Sequence, residues 1–311
     1  MTRTVLAVLG FALLVIAQPV AQQPPVRDGQ SLVGTWMLVS ELRDAGTETA
    51  TPSPGARGLA IFDAAGHMFE LVTHTDQPTL PGLSEAQSRF HDLSGSWGRY
   101  AADMDKGRIT YRAFAGRSPN VTDRELSRTF EMAGDRLIVT SQPGELHTRG
   151  VTRWTWQSVP PLAGLSDEVL GVVGFWRHEV EGQKDAATGE ILSERRRDPS
   201  VIVYTPAGFA GVHFPTLDRQ RFASDEPTDA EAREEDGYLG YYAALGVYPG
   251  MVFHNVLGGG FGAGTTFRRF FEVRGDELHL TFPPGANREG RRTSTYVRLR
   301  RLSGASDMLG R

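Results

Sequence analysis

Apolar and polar positions alternate along most of this chain. Phe267, Arg269, Phe271 and Val273 fall on one face of one segment, and Leu278, Leu280 and Phe282 on one face of the next, the period of two expected of β-strands. Residues 126–132 and 136–141 show the same pattern. Each pair is joined by a Gly-Asp step (Gly134-Asp135, Gly275-Asp276) suited to a tight hairpin. Earlier, Ile61 and Phe62 precede the turn Asp63-Ala64-Ala65-Gly66, and residues 68–72 follow it. Residues 201–204, the turn Thr205-Pro206-Ala207-Gly208 and residues 209–214 repeat that hairpin, with Pro and Gly placed for a type I turn. One short helix is predicted after each hairpin, because Ser84-Glu85-Ala86-Gln87 and Thr228-Asp229-Ala230-Glu231 both form capping boxes.

These correspondences are a duplication. Leu32-Val33-Gly34-Thr35-Trp36 returns about 140 positions later as Val172-Val173-Gly174-Phe175-Trp176, with similar segments in the same order after it. A repeat of this length is a domain, and 311 residues accommodate two, each able to bury a core. The expected boundaries are a signal peptide over 1–21, a linker over 22–30, units over 31–159 and 171–303, a linker over 160–170 and a tail over 304–311. Ser166-Asp167-Glu168 offers a short helix start in the second linker. Many short strands with tight turns point to closed antiparallel barrels, since closure removes exposed edges.

Composition is that of an ordinary globular protein, 40% hydrophobic and 23% charged, and a formal net charge of −4 argues against a nucleic-acid partner. Lys106 and Lys184 are the only lysines. Arg3, the apolar run 5–17 and the polar, Pro-rich stretch 18–25 have the outline of a signal peptide, too short for a permanent membrane anchor. The expected location is therefore periplasmic or extracellular. The chain has no cysteine, so packing alone must stabilise it, without disulfide or lipobox. Eight histidines show neither His-Glu-x-x-His nor a close pair, so no metal and no cofactor is expected. His74 with Asp76 and His91 beside Asp92 read as loop residues. Gly95-Ser96-Trp97-Gly98 is one residue short of a nucleophile elbow. Asn120-Val121-Thr122 matches a glycosylation sequon, a pattern common by chance.

Gly34-Thr35-Trp36 and Gly174-Phe175-Trp176, opening the first strand of each unit, resemble the lipocalin superfamily, and more closely the bacterial and fungal lipocalin-like domain family. The second unit matches that family's pattern at Tyr204-Thr205-Pro206-Ala207-Gly208, Gly240-Tyr241-Tyr242, His254, Arg269 and Gly275-Asp276. The first matches at Leu38-Val39-Ser40, Gly98-Arg99-Tyr100, Arg128 and Gly134-Asp135, and departs at Asp63 and Arg112, where the hairpin motif and the histidine are missing. The resemblance implies an all-β protein of two tandem antiparallel lipocalin-like barrels, wide enough for side chains or one small ligand. It also implies that Trp36 and Trp176 close the barrel bases beneath an arginine of the last strand, with Arg298 or Arg300 in the second unit and Arg153 in the first as candidates. Two-barrel relatives include carotenoid hydratases and pericyclic cyclases, an analogy of fold only.

The expected function is binding of a small apolar molecule in a barrel cavity, and the second unit is the better candidate because Tyr238, Tyr241, Tyr242, Tyr248, Phe253, Phe267 and Phe271 make it aromatic-rich. Tyr241, Phe253, His254, Phe267, Arg269 and Phe271 are the expected contacts. Alternation sets Phe253 and His254 on opposite faces, leaving open which points inward. Arg269 shares the face of Phe267 and Phe271, where an inward guanidinium needs a carboxylate, a carbonyl or a ligand, and a structural ion pair is expected. His213 is a similar case. The run Gly258-Gly259-Gly260-Phe261-Gly262-Ala263-Gly264 precedes a strand, not a helix, and is read as a hairpin loop at a barrel mouth. Glu194-Arg195-Arg196-Arg197-Asp198 is read as a solvated loop. Two alternatives stand beside binding: an isomerase, cyclase or hydratase using His254 or a tyrosine as acid, and filled barrels whose surface binds another protein.

Overall fold

The computed structural model describes residues 31–74, 82–141, 150–287 and 289–310; the signal-peptide segment and Asp76 lie outside them. Two antiparallel barrels follow each other along the chain. In the first, β1 (Gly34–Arg43), β3 (Ala56–Phe62), β4 (His67–His74), β5 (Leu93–Asp103), β6 (Arg108–Gly116), β7 (Glu125–Ala133), β8 (Arg136–Thr140) and β9 (Arg153–Val159) pair in order, and β9 returns to β1. The two-residue β2 (Thr51–Pro52) flanks β1. In the second, β10 (Gly174–Asp185), β12 (Val201–Tyr204), β13 (Phe209–Phe214), β14 (Leu239–Tyr248), β15 (Met251–Gly259), β16 (Thr266–Arg274), β17 (Glu277–Thr281) and β19 (Arg292–Arg301) close through β10–β19, with β11 (Ile191–Arg196) and β18 (Gly285–Ala286) as flaps. Each barrel thus has eight strands, and neither leaves a long open edge.

The predicted capping boxes are present. Ser84 and Gln87 cap α1 (Glu85–His91), and Thr228 and Glu231 cap α3 (Asp229–Glu234), the first between β4 and β5 and the second between β13 and β14. Ser166 caps α2 (Asp167–Val172) in the linker. Two segments differ from expectation. Residues 194–196 of the charged run belong to β11, because they pair with β10 in a hairpin. Residues 305–309 form a further helix, α4 (Ala305–Leu309), whose Met308 is fully buried between the barrels.

The structure has a third core beyond the two interiors. Strands β3, β4, β12 and β13 are apolar on both faces, the signature of a sheet covered on each side. Ala60, Phe62, Met68 and Val72 face the first interior, while Leu59, Ile61, Phe69 and Leu71 face outward. They meet Phe175, Val201, Val203 and Tyr242 of the second unit. Approach is close: a Cβ on Gly211 would lie 2.7 Å from the Phe69 ring. Each such side chain contributes about 1.5–3 kcal/mol on burial.

Polar groups reinforce the same seam. Trp97 donates its indole N–H to the Pro199 carbonyl (3.1 Å), and Arg219 binds Glu235 and the Gly116 carbonyl (2.7 Å). Arg117 is sandwiched between the rings of Phe90 and Tyr238. The Asn120 side chain accepts from the Phe222 amide (2.8 Å) and donates to the Ser224 carbonyl (2.8 Å), which gives the sequon asparagine a structural use. His213 and Tyr238, hydrogen-bonded at 2.6 Å, lie in this seam and not in a cavity. His91 bonds Glu226 across it at 2.7 Å.

Each Trp of the Gly-x-Trp motif donates to the carbonyl four residues before it, Trp36 to Leu32 (2.9 Å) and Trp176 to Val172 (2.7 Å). The guanidinium of Arg301 stacks on Trp176, 4.0 Å from the ring centroid, and also donates to the Gly171 and Val173 carbonyls. The expected Arg298 or Arg300 is therefore displaced to Arg301. Arg300 instead pairs outside with Glu179 and Glu277, since alternation sets it on the opposite face. In the first unit Ser158 occupies the place of Arg301, and Arg153 is exposed.

Candidate binding site in the second barrel

Four polar side chains meet inside the second barrel, each delivered by a different strand. Tyr204 ends β12, Tyr241 lies near the start of β14, His254 is in mid β15 and Arg269 in mid β16. Their strand neighbours of like parity, Ile202, Ala243, Val252 and Val256 in the core and Phe267 and Phe271 packed against it, set the inner face, so period two turns all four inward. The His254 Nδ1 is 2.9 Å from the Tyr241 hydroxyl, and its Nε2 is 3.1 Å from the Tyr204 hydroxyl. Arg269 donates from one terminal nitrogen to the Tyr241 hydroxyl at 3.1 Å. These bonds are all satisfied when Tyr241 donates to Nδ1 and Nε2–H donates to Tyr204.

Burial sets the protonation of this chain. His254 and Tyr204 are fully buried and Tyr241 nearly so. Burial, aided by the Arg269 charge, holds the His254 pKa well below 6.5, so the imidazole is neutral at pH 7. Burial raises the pKa of both phenols, and the Arg269 charge opposes that rise. A neutral imidazole between two protonated phenols binds polar atoms or passes a proton without carrying charge.

Arg269 is only 5% exposed, and its second terminal nitrogen has no hydrogen-bond partner. Its guanidinium lies over the rings of Phe267 (5.0 Å) and Phe282 (4.6 Å). The expected ion pair is not what holds it: its hydrogen-bond partner is the Tyr241 phenol. At one end of the site Phe261, on the glycine-rich loop between β15 and β16, packs against Tyr241 (6.0 Å) and Phe267 (5.0 Å) and is 37% exposed.

Of the residues expected from sequence, the structure brings together Tyr241, His254, Phe267 and Arg269, and places Phe271 on the same inner face. Phe253 is on the opposite, outer face of β15, edge-to-face with Tyr248, and the two line a groove of about 380 Å³ with Gly246, Met251 and Asn255. Tyr238 and Tyr242 belong to the seam between the barrels. Tyr204, Phe261 and Phe282 join the site without having been expected there. Tyr204 carries a readable signal, since it shares parity with Ile202 and stands next to the hairpin turn.

The first barrel offers a second buried polar set. Glu41 accepts from the Arg43, Ser53 and Trp154 side chains and lies 2.9 Å from His74 Nε2. Burial works to raise its pKa, but His74 and Arg43 outweigh it and lower the carboxyl to about 2. His74, expected in a loop, thus ends β4 as a buried partner of Glu41. Among the described residues no group of three or more His, Cys, Asp or Glu side chains could hold a metal.

No family model matches the chain, and no curated protein matches it. Among solved structures, it is similar to a protein of unknown function from the DUF3598 family of Nostoc punctiforme, at 11% identity and a TM-score of 0.22, over 87% of this chain and 96% of that one.

Proposed function

We propose that the protein is a lipocalin-like binder that takes up a small, largely apolar molecule in its second barrel, beside His254, Tyr241 and Arg269. The observation that carries this reading is Arg269, a guanidinium 5% exposed among aromatic rings with one nitrogen unsatisfied. A buried cation in such surroundings is costly unless something compensates it. A ligand would supply the compensation, with the aromatics giving contact area and few polar groups fixing orientation. Export through the N-terminal leader belongs to the same proposal. No helix among the described residues is long and apolar enough to cross a membrane.

A second reading is favoured by one observation, the Tyr241–His254–Tyr204 chain, whose neutral imidazole is suited to passing a proton to or from a bound substrate. That would make the protein a cofactor-independent isomerase, cyclase or hydratase. Native mass spectrometry of protein purified from its own cells tests the first reading, by looking for one co-purifying apolar molecule per chain. An empty chain that also refuses a panel of apolar dyes would refute it. Chemical conversion of a captured molecule, abolished by His254→Gln with binding intact, would favour the second.

A further inference from the structure

The duplication supplies an internal comparison for Arg269. Four residues after the hairpin glycines Gly66 and Gly208 stand Glu70 and Val212, both turned into their barrels. Glu70 lies opposite Ser96 on β5, and Val212 opposite Tyr241 on β14. Across each barrel, Arg128 lies opposite Ile109 and Arg269 opposite Val252. In the first barrel Arg128 donates to Glu70 at 2.8 Å, both side chains almost fully buried, and its guanidinium packs on Tyr111 and Trp154. The second barrel keeps the arginine and the aromatic packing but has replaced the carboxylate by a valine.

Resting on the binding reading above, we infer that the second barrel is a site for an apolar monocarboxylate, whose head group takes the place that the Glu70 carboxylate fills in the first. The unsatisfied nitrogen of Arg269 donates to one carboxylate oxygen, and Val212, Val252, Phe267 and Phe282 surround the apolar body. One negative charge matches the site, because among the described residues Arg269 is the only buried lysine or arginine of the second barrel. The first barrel carries its own carboxylate and takes no such ligand.

Three ligands sharing one tail test this by titration calorimetry: octanoate, octanol and octylammonium, added to full-length protein stripped of co-purifying molecules. The expected result is octanoate binding one per chain, at least ten times more tightly than octanol, with octylammonium not binding. Arg269→Met removes the preference for octanoate over octanol. Val212→Glu copies the first barrel and abolishes octanoate binding. Thermal melts establish that both variants fold, and if Val212→Glu does not, the Arg269→Met comparison still decides. Octanol binding as tightly as octanoate, or a preference that survives Arg269→Met, overturns the carboxylate inference and leaves the binding reading standing. Wild-type protein that binds none of the three refutes both.

Discussion

Glu70 and Arg128 form a buried ion pair at 2.8 Å across the interior of the first barrel. Both are desolvated, so each depends on the other. Glu70→Val would give the first barrel the arrangement of the second without a ligand to compensate Arg128. A loss of about 3–5 kcal/mol is expected for removing one partner of a buried ion pair. Adding Arg128→Met should restore much of it, which urea unfolding of the single and double variants would measure. A Glu70→Val variant as stable as wild type would mean that Arg128 is compensated from elsewhere.

The seam between the barrels predicts joint unfolding. Leu71 is fully buried there, on the outer face of β4, and touches neither interior. Leu71→Ala should cost about 2–5 kcal/mol, as for any well-packed core leucine. Because Leu59, Ile61, Phe69, Phe175, Val201 and Val203 share the same cluster, the loss should lower the stability of both barrels. Calorimetry should then give one endotherm for wild type and one, at lower temperature, for the variant. Two separated endotherms in wild type would show that the seam does not couple the units.

Three buried histidines set the response to acid. Burial lowers the pKa of His213 to about 3 and of His178 to about 4, and holds His254 well below 6.5. Above pH ~6.5 all three are neutral folded and unfolded, and their contribution does not change. Below it the unfolded chain takes up protons that the folded one refuses, so stability falls with pH by about 1.4 kcal/mol per unit for each histidine. Glu41 adds to the loss once the pH drops below ~4.5 towards 2, while Glu235, whose carboxyl is raised by burial, works the other way. Urea midpoints should be level from pH 8 to 7 and fall steeply from 6 to 4. His213→Phe should flatten that fall; an unchanged slope would mean that His213 is not among the groups responsible.

Much of the site was legible because the strand period is strict. Phe267, Arg269 and Phe271 could be set on one face from β16 alone, whereas Phe253 and His254 could only be set apart. Alternation fixes relative faces, and which face is inner depends on the neighbouring strands. The alignment of the two units was readable at the hairpins and misleading at β5 and β14. Gly98-Arg99-Tyr100 looks like Gly240-Tyr241-Tyr242, but pairing to β4 and β13 sets Gly95-Ser96-Trp97 there, and a bulge follows in both units after Trp97 and Tyr242. Tyr111, not Arg112, therefore holds the place of His254. The continuous apolar stretches 59–62 and 201–204 carried a readable trace of the seam, but nothing in them names the partner surface. The register that pairs Arg301, not Arg298 or Arg300, with Trp176 depends on the bulge between His178 and Val180, which residue spacing does not disclose.

Gly259 ties the glycine-rich loop to the site. Its φ is +125°, and a Cβ there would lie 2.3 Å from the Gly240 carbonyl oxygen and 2.4 Å from the Tyr241 Cα. The next amide, Gly260 N–H, donates to that same carbonyl at 2.7 Å, so the backbones of β14 and β15 are in contact where Tyr241 departs. Gly259→Ala combines backbone strain with a collision against main chain, neither of which a side-chain rotation relieves. A loss of about 2 kcal/mol or more is expected, with displacement of the Tyr241 hydroxyl from His254. Gly262, in the loop three residues beyond the end of β15, has open space around its Cβ and no unusual φ. Gly262→Ala should therefore change stability by no more than ~0.5 kcal/mol. Denaturation of the pair, with NMR of the His254 ring protons as the local probe, separates the two effects: only Gly259→Ala should shift those resonances. If both variants behave alike, the loop matters through its flexibility and not through the contact at Gly240.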